Sequence, residues 1–108
     1  MSIAPRSVVV TGCGSGIGRA IILRLANDGW RTAGIEINAS DAASIRGELG
    51  AGHAVIEGDA ADRGLLEKAR TAAEELAPLG AWVNNVGIAT MSNLHEPNPA
   101  DEIGRAHV

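Results

Sequence analysis

An α/β fold built on a parallel sheet is what this sequence predicts, and three observations carry it. Short apolar runs alternate with amphipathic helical stretches in the order β-α-β-α-β-α-β, which implies parallel strands joined by right-handed crossovers. The first strand feeds a glycine run that opens directly into a helix. Apolar residues make up 45% of the 108 residues, yet there is no Phe, no Tyr and only two Trp. The core must therefore be Val, Ile, Leu and Ala, as helices packed on such a sheet favour.

Ser7 to Val10 is the first strand, with Val8-Val9-Val10 suited to burial on both faces. Ile17, Ala20, Ile21 and Leu25 fall near helical spacing, which places a first helix from about Gly16 to Asn27, with Gly29 as its stop signal. Arg31 to Ile37 reads as the second strand, weakened by Gly34. Ser40-Asp41 then caps a second helix to about Leu49, stopped by Gly50. His53 to Ile56 is a third short strand, ending at Glu57-Gly58-Asp59. Asp62 caps the third helix, where Leu65, Ala69, Ala72 and Leu76 form one apolar face and Pro78 and Gly80 end the helix. Ala81 to Asn84 is the fourth strand and leads into Asn85-Val86-Gly87. Ala89 to Ala100 is loop, because Pro97 and Pro99 exclude a regular helix.

Composition narrows the class. No apolar run approaches the ~18 residues of a membrane span, and Met1 to Pro5 is too short for a signal peptide. A net charge of -4 argues against nucleic acid as a partner. The single Cys13 allows no internal disulfide and fits a reducing cytoplasm. With no His nearby in sequence to activate it, Cys13 reads as a small filler of the glycine run rather than a nucleophile. His53 and His95 are single and far apart, so no metal is expected.

The chemistry gathers at the strand ends, where open sheets of this kind bind ligands. Thr11-Gly12-Cys13-Gly14-Ser15-Gly16-Ile17-Gly18 sets a glycine turn between a strand and a helix. Free N–H groups at the helix start and the aligned peptide dipoles make a phosphate site there. Gly12 permits the tight turn, Gly16 lets backbone approach a pyrophosphate, and Gly18 lets the helix sit close against the sheet. The spacing Gly-x-x-x-Gly-x-Gly is not the commoner Gly-x-Gly-x-x-Gly, since Ile17 and Arg19 occupy its third-glycine positions.

Glu36, 18 residues past Gly18, stands where an acidic side chain accepts hydrogen bonds from an adenosine ribose. A carboxylate there repels a 2′-phosphate, and neither Ser15 nor Ile37 is a Lys or Arg that would welcome one, so NAD is favoured over NADP. Asp59 at the third strand end can accept from an adenine amino group, or serve as a turn residue. Asn84-Asn85 should make side-chain to backbone hydrogen bonds. Gly87 lets a ribose or nicotinamide lie against the chain.

Together, Thr11-Gly12-x-x-x-Gly16-x-Gly18, Glu36, Asp59 and Asn84-Asn85-Val86-Gly87 resemble the amino-terminal half of a short-chain dehydrogenase/reductase. Val86 departs from the family's usual Ala, and Trp82 from its usual aliphatic residue. The resemblance implies a Rossmann-like doubly wound parallel sheet, truncated here to about four strands in the order 3-2-1-4. It implies Gly12, Ser15, Gly16, Ile17 and Gly18 at a pyrophosphate, and Glu36 with its neighbour Ile37 at the adenosine ribose. Asp59-Ala60 then lies at the adenine, and Asn85 and Gly87 at the nicotinamide ribose. The implied reaction is hydride transfer between a nicotinamide and a small alcohol or ketone substrate, in a homo-oligomeric parent.

The family's acid/base is a Tyr in a Tyr-x-x-x-Lys pair. This chain has no Tyr, and its one lysine, Lys68, sits among the charges of the third helix, so no catalytic residue is assigned. Ile103 to Val108 matches what a common sequencing-adapter read encodes. Residues 1–101 are thus expected to be an incomplete cofactor-binding domain, and 102–108 a non-native tail. The fragment is expected to be inactive and marginal, with the fourth strand an open edge. A stand-alone nucleotide-binding module is the alternative function. A Rossmann-like methyltransferase is disfavoured by the glycine spacing and the Asn-Asn-Val-Gly run.

Overall fold

A computed structural model describes residues 4–85; Val86, Gly87, the stretch Ala89 to Ala100 and residues 102–108 lie outside the described residues. Four strands and three helices alternate: β1 (Ser7–Thr11), α1 (Gly16–Asn27), β2 (Arg31–Glu36), α2 (Ala39–Leu49), β3 (Ala54–Glu57), α3 (Arg63–Leu76) and β4 (Leu79–Asn84). The strands pair in parallel in the order β3-β2-β1-β4, the order that the family resemblance implies.

β1 is buried along its whole length because helices cover both faces of the sheet. Val8, Val10 and Cys13 pack with Ile22 of α1 and with Ala42 and Ile45 of α2. On the opposite face, Val9 joins Ala33 and Ile35 of β2 with Ala69 and Ala73 of α3. Side chains alternate across a strand, so successive valines of β1 feed two separate cores. Burying each fully is worth about 1.5–3 kcal/mol.

β1 runs one residue further than expected, to Thr11, and β2 stops one residue earlier, at Glu36; three further differences have a local cause. The cap of α2 is Asn38, not Ser40-Asp41: Asn38 Oδ1 accepts the Asp41 N–H at 2.9 Å. This is ordinary capping chemistry two residues upstream, where the chain is still extended. β4 begins at Leu79, not Ala81, and Gly80 is part of it. The β1–β4 register shifts between Ser7 and Val8, and a glycine inside a strand commonly marks such an irregularity. Finally, β3 is displaced one residue, to Ala54–Glu57, because the His53 ring rather than its backbone continues the ladder. His53 Nδ1 takes the Thr32 N–H at 3.1 Å.

Gly34, a weakness in the sequence reading of β2, is a requirement of the packing. A Cβ there would collide with the Cys13 sulfur and press the Ile22 side chain. Cys13 is the buried filler that this space accepts. Trp82 remains 37% exposed, since α3 lies chiefly over β1 and β2. Among the described residues, no helix is long and apolar enough to cross a membrane.

Candidate functional site

The glycine turn leaves β1 at Thr11 and enters α1 at Gly16. Gly12 and Gly16 both adopt positive φ, 65° and 56°, a region that side chains resist. The space beside Gly16 is open, with no atom within 4 Å of where a Cβ would stand. The space beside Gly18 is closed: a Cβ would collide with the Gly12 carbonyl oxygen and stand 2.7 Å from Asn85 Nδ2. The tight approach at Gly18 is thus to the turn and to the residue after β4.

Ser15 is the N-cap of α1 in extended backbone, and its side chain makes no capping bond. The first bond of the helix ladder is Arg19 N–H to Ser15 C=O at 3.2 Å. The N–H groups of Gly16, Ile17 and Gly18 precede that ladder, and the positive end of the helix dipole adds to them. An anion with several oxygens fits this end. Ile17, in the same turn, is 68% exposed, an apolar side chain left on the surface at the mouth of the turn.

Glu36 closes the other side. It is only 6% exposed, and its two oxygens are shared between two backbone donors. Oε1 accepts the Gly14 N–H at 2.8 Å, and Oε2 accepts the Asn38 N–H at 3.0 Å. One carboxylate therefore ties the glycine turn to the start of α2. Ile37, next in sequence, is 66% exposed.

The remaining strand ends attach to the same place. Gly58 N–H donates to the Glu36 carbonyl at 2.9 Å, drawing the end of β3 alongside β2. Asp59 Oδ1 accepts the Ala61 N–H at 2.9 Å, a turn-forming bond, while Ala60 packs against the α3-side core. Thr11 Oγ1 donates to Asn84 Oδ1 at 3.1 Å, and Asn85 Nδ2 donates to the Gly12 carbonyl at 3.3 Å. Asn85 makes the side-chain to backbone bond expected of it, and Asn84 bonds the Thr11 side chain. Gly87 lies outside the described residues.

Three residues here escaped the sequence reading. Gly14 has no room for a side chain, since a Cβ would stand 2.7 Å from both Asp41 Cβ and Glu36 Cγ. Asn38 caps α2 and donates to Glu36. Arg19 donates to the Gly14 carbonyl at 3.3 Å and forms an ion pair with Glu48 of α2. The presence of a glycine beyond Gly12, Gly16 and Gly18 was the signal available for Gly14, and an Asn directly before a helix the signal for Asn38.

Cys13 does not offer a nucleophile. Burial, and next the Glu36 charge, push its thiol up to about 12. Among the described residues, no group of three His, Cys, Asp or Glu could hold a metal ion.

The family model described as short chain dehydrogenase matches residues 6–106 of the chain. The D-threitol dehydrogenase of Mycolicibacterium smegmatis is 34% identical over 92 residues, covering 82% of this chain and 35% of that protein. The galactitol 2-dehydrogenase (L-tagatose-forming) of Cereibacter sphaeroides is 37% identical over 92 residues, covering 84% and 36%. A blue fluorescent protein from a metagenomic library, solved in complex with NADPH, superimposes with a TM-score of 0.61 at 35% identity, covering 72% of this chain and 34% of that one. The chain spans about a third of the length of the curated relatives it matches.

Proposed function

This chain belongs to the short chain dehydrogenase family, and on that footing we propose that residues 1–101 are the cofactor-binding part of an oxidoreductase. Its reaction is hydride transfer between a nicotinamide dinucleotide and a small alcohol or ketone. The observation that carries the reading is the buried Glu36 carboxylate, tied to the glycine turn at the start of α1.

When bound, the nicotinamide ring supplies the carbon that gives or accepts hydride; this chain binds and orients. The N–H groups of Gly16, Ile17 and Gly18 hold the pyrophosphate, with Gly12 and Ser15 shaping the turn around it. Open space at Gly16 fits such a group, because nothing of the protein fills it. Glu36 receives the adenosine ribose: a carboxylate offers about four lone-pair sites, and the Gly14 and Asn38 N–H groups use only two. Ile37 stands with Glu36 at that ribose, Asp59 and Ala60 flank the adenine, and Asn85 and Gly87 are assigned to the nicotinamide ribose.

A carboxylate at the ribose repels a 2′-phosphate, so NAD is preferred to NADP. The NADPH complex of the similar blue fluorescent protein supports the nicotinamide class rather than the choice within it. The names of the two similar sugar-alcohol dehydrogenases support an alcohol or its ketone as substrate. With no Tyr in the chain, no Tyr-x-x-x-Lys pair is available. The chain alone is expected to bind cofactor without turnover. In a cytoplasmic, homo-oligomeric parent, residues outside this chain supply the acid/base, and residues 102–108 take no part.

Calorimetric titration tests this. NAD is expected to bind more tightly than NADP, and S-adenosylmethionine not at all. Binding of S-adenosylmethionine alone would reverse the assignment in favour of a methyltransferase.

A further inference from the structure

We propose that Asp41 is a second determinant of cofactor choice, acting beside Glu36 against a phosphate on the 2′ position of the adenosine ribose. The inference rests on the reading of Glu36 as the ribose-binding carboxylate. Asp41 is the third residue of α2, and its backbone N–H is held at 2.9 Å by the Asn38 cap. That bond caps the first turn of α2, and Glu36, accepting from both Gly14 and Asn38, ties this turn to the glycine turn. A Cβ on Gly14 would stand 2.7 Å from Asp41 Cβ and equally close to Glu36 Cγ, so both acidic residues border the same backbone.

Charge decides what this border admits. The start of α2 carries the positive end of a helix dipole, which alone would attract a phosphate. Asp41 is the acidic residue of that first turn and offsets the attraction. Among the described residues, no hydrogen bond or ion pair engages its carboxylate. The cation in the first turn of α1, Arg19, is directed to the Gly14 carbonyl and to Glu48. A 2′-phosphate entering beside Glu36 would thus meet a second carboxylate rather than a bare helix end. Removing Glu36 alone would leave the Asp41 charge in place.

The test compares 5′-AMP with adenosine 2′,5′-bisphosphate, which differ only by the 2′-phosphate, on the wild-type chain, Asp41→Asn and Asp41→Ser. The Asp41 side chain takes no part in the cap, so both variants keep α2, as thermal unfolding can verify. Each variant is expected to tighten the bisphosphate roughly three- to tenfold at low salt, with AMP changed less than about twofold. The gain should shrink toward about 0.15 M salt as the charges are screened. On the wild type, added salt should tighten the bisphosphate relative to AMP, a readout independent of any variant. Equal changes for both ligands, or an unchanged bisphosphate affinity, overturn the inference and leave the cofactor reading intact. A wild-type chain that binds neither ligand overturns that reading, and this inference with it.

Discussion

Gly18 lies so close to Gly12 that any side chain on Gly18 would occupy the Gly12 carbonyl oxygen. Behind that carbonyl stands Asn85, whose amide donates to it at 3.3 Å. The turn, the helix start and the end of β4 thus meet at one oxygen. Neither backbone partner can give way without moving β1 or α1.

Gly18→Ala is therefore expected to destabilise the chain by about 1–3 kcal/mol or more. Gly47→Ala is the control, an exposed helical glycine with no neighbour within 4 Å of the new Cβ. It is expected to stabilise by up to about 1 kcal/mol. Urea unfolding checks both, and equal midpoints for the two variants would contradict the packing described.

Glu36→Gln keeps the size of the side chain but turns one acceptor into a donor facing a backbone N–H. Losing the bond to Gly14 or Asn38 inside a buried setting is expected to cost about 1–3 kcal/mol. The local signature is faster hydrogen exchange at the Gly14 and Asn38 amides. Unchanged exchange at both would show that Glu36 does not clasp these two amides.

His53 makes stability depend on pH. Its Nδ1 accepts the Thr32 N–H, so that nitrogen carries no proton in the fold. Burial first, and Arg31 second, lower its pKa from the ordinary 6.5. Below pH 6.5 the unfolded chain consequently binds more protons than the folded one. This contribution is whole above 6.5 and is lost as pH falls through the lowered folded value. Unfolding midpoints measured from pH 8 to pH 5 should fall, and His53→Leu should flatten the decline. A decline of the same size in the variant assigns it to other groups.

Cys13 should be inert in the native chain. With its thiol pushed up to about 12 and no surface exposed, an aromatic disulfide reagent at pH 8 is expected to label it only through unfolding. Labelling within seconds in the absence of denaturant would show that the glycine turn opens.

The four strands and three helices were legible because their cues are local. Three adjacent valines, glycines at helix ends and an Asp at the head of α3 each act within a few residues. Missed features depend on partners distant in sequence. Gly34 reads as a weak strand residue until Cys13 and Ile22 are seen filling its Cβ position. Gly80 reads as a helix stop until the β1–β4 register places it inside a strand. Ser40-Asp41 looks like a cap, yet Asn38 is two residues nearer the strand and takes the role.

The order of elements, the glycine turn between β1 and α1, and an acidic residue closing β2 were determined by the sequence itself, through short-range geometry of backbone and turn. Only the tertiary structure decided what these pieces do to one another. It made Glu36 a clasp between Gly14 and Asn38, set Asp41 against the same turn, and left Gly18 no space beside Gly12. The physical reason is that close packing and buried hydrogen bonds join residues far apart along the chain, and no local pattern encodes those distances.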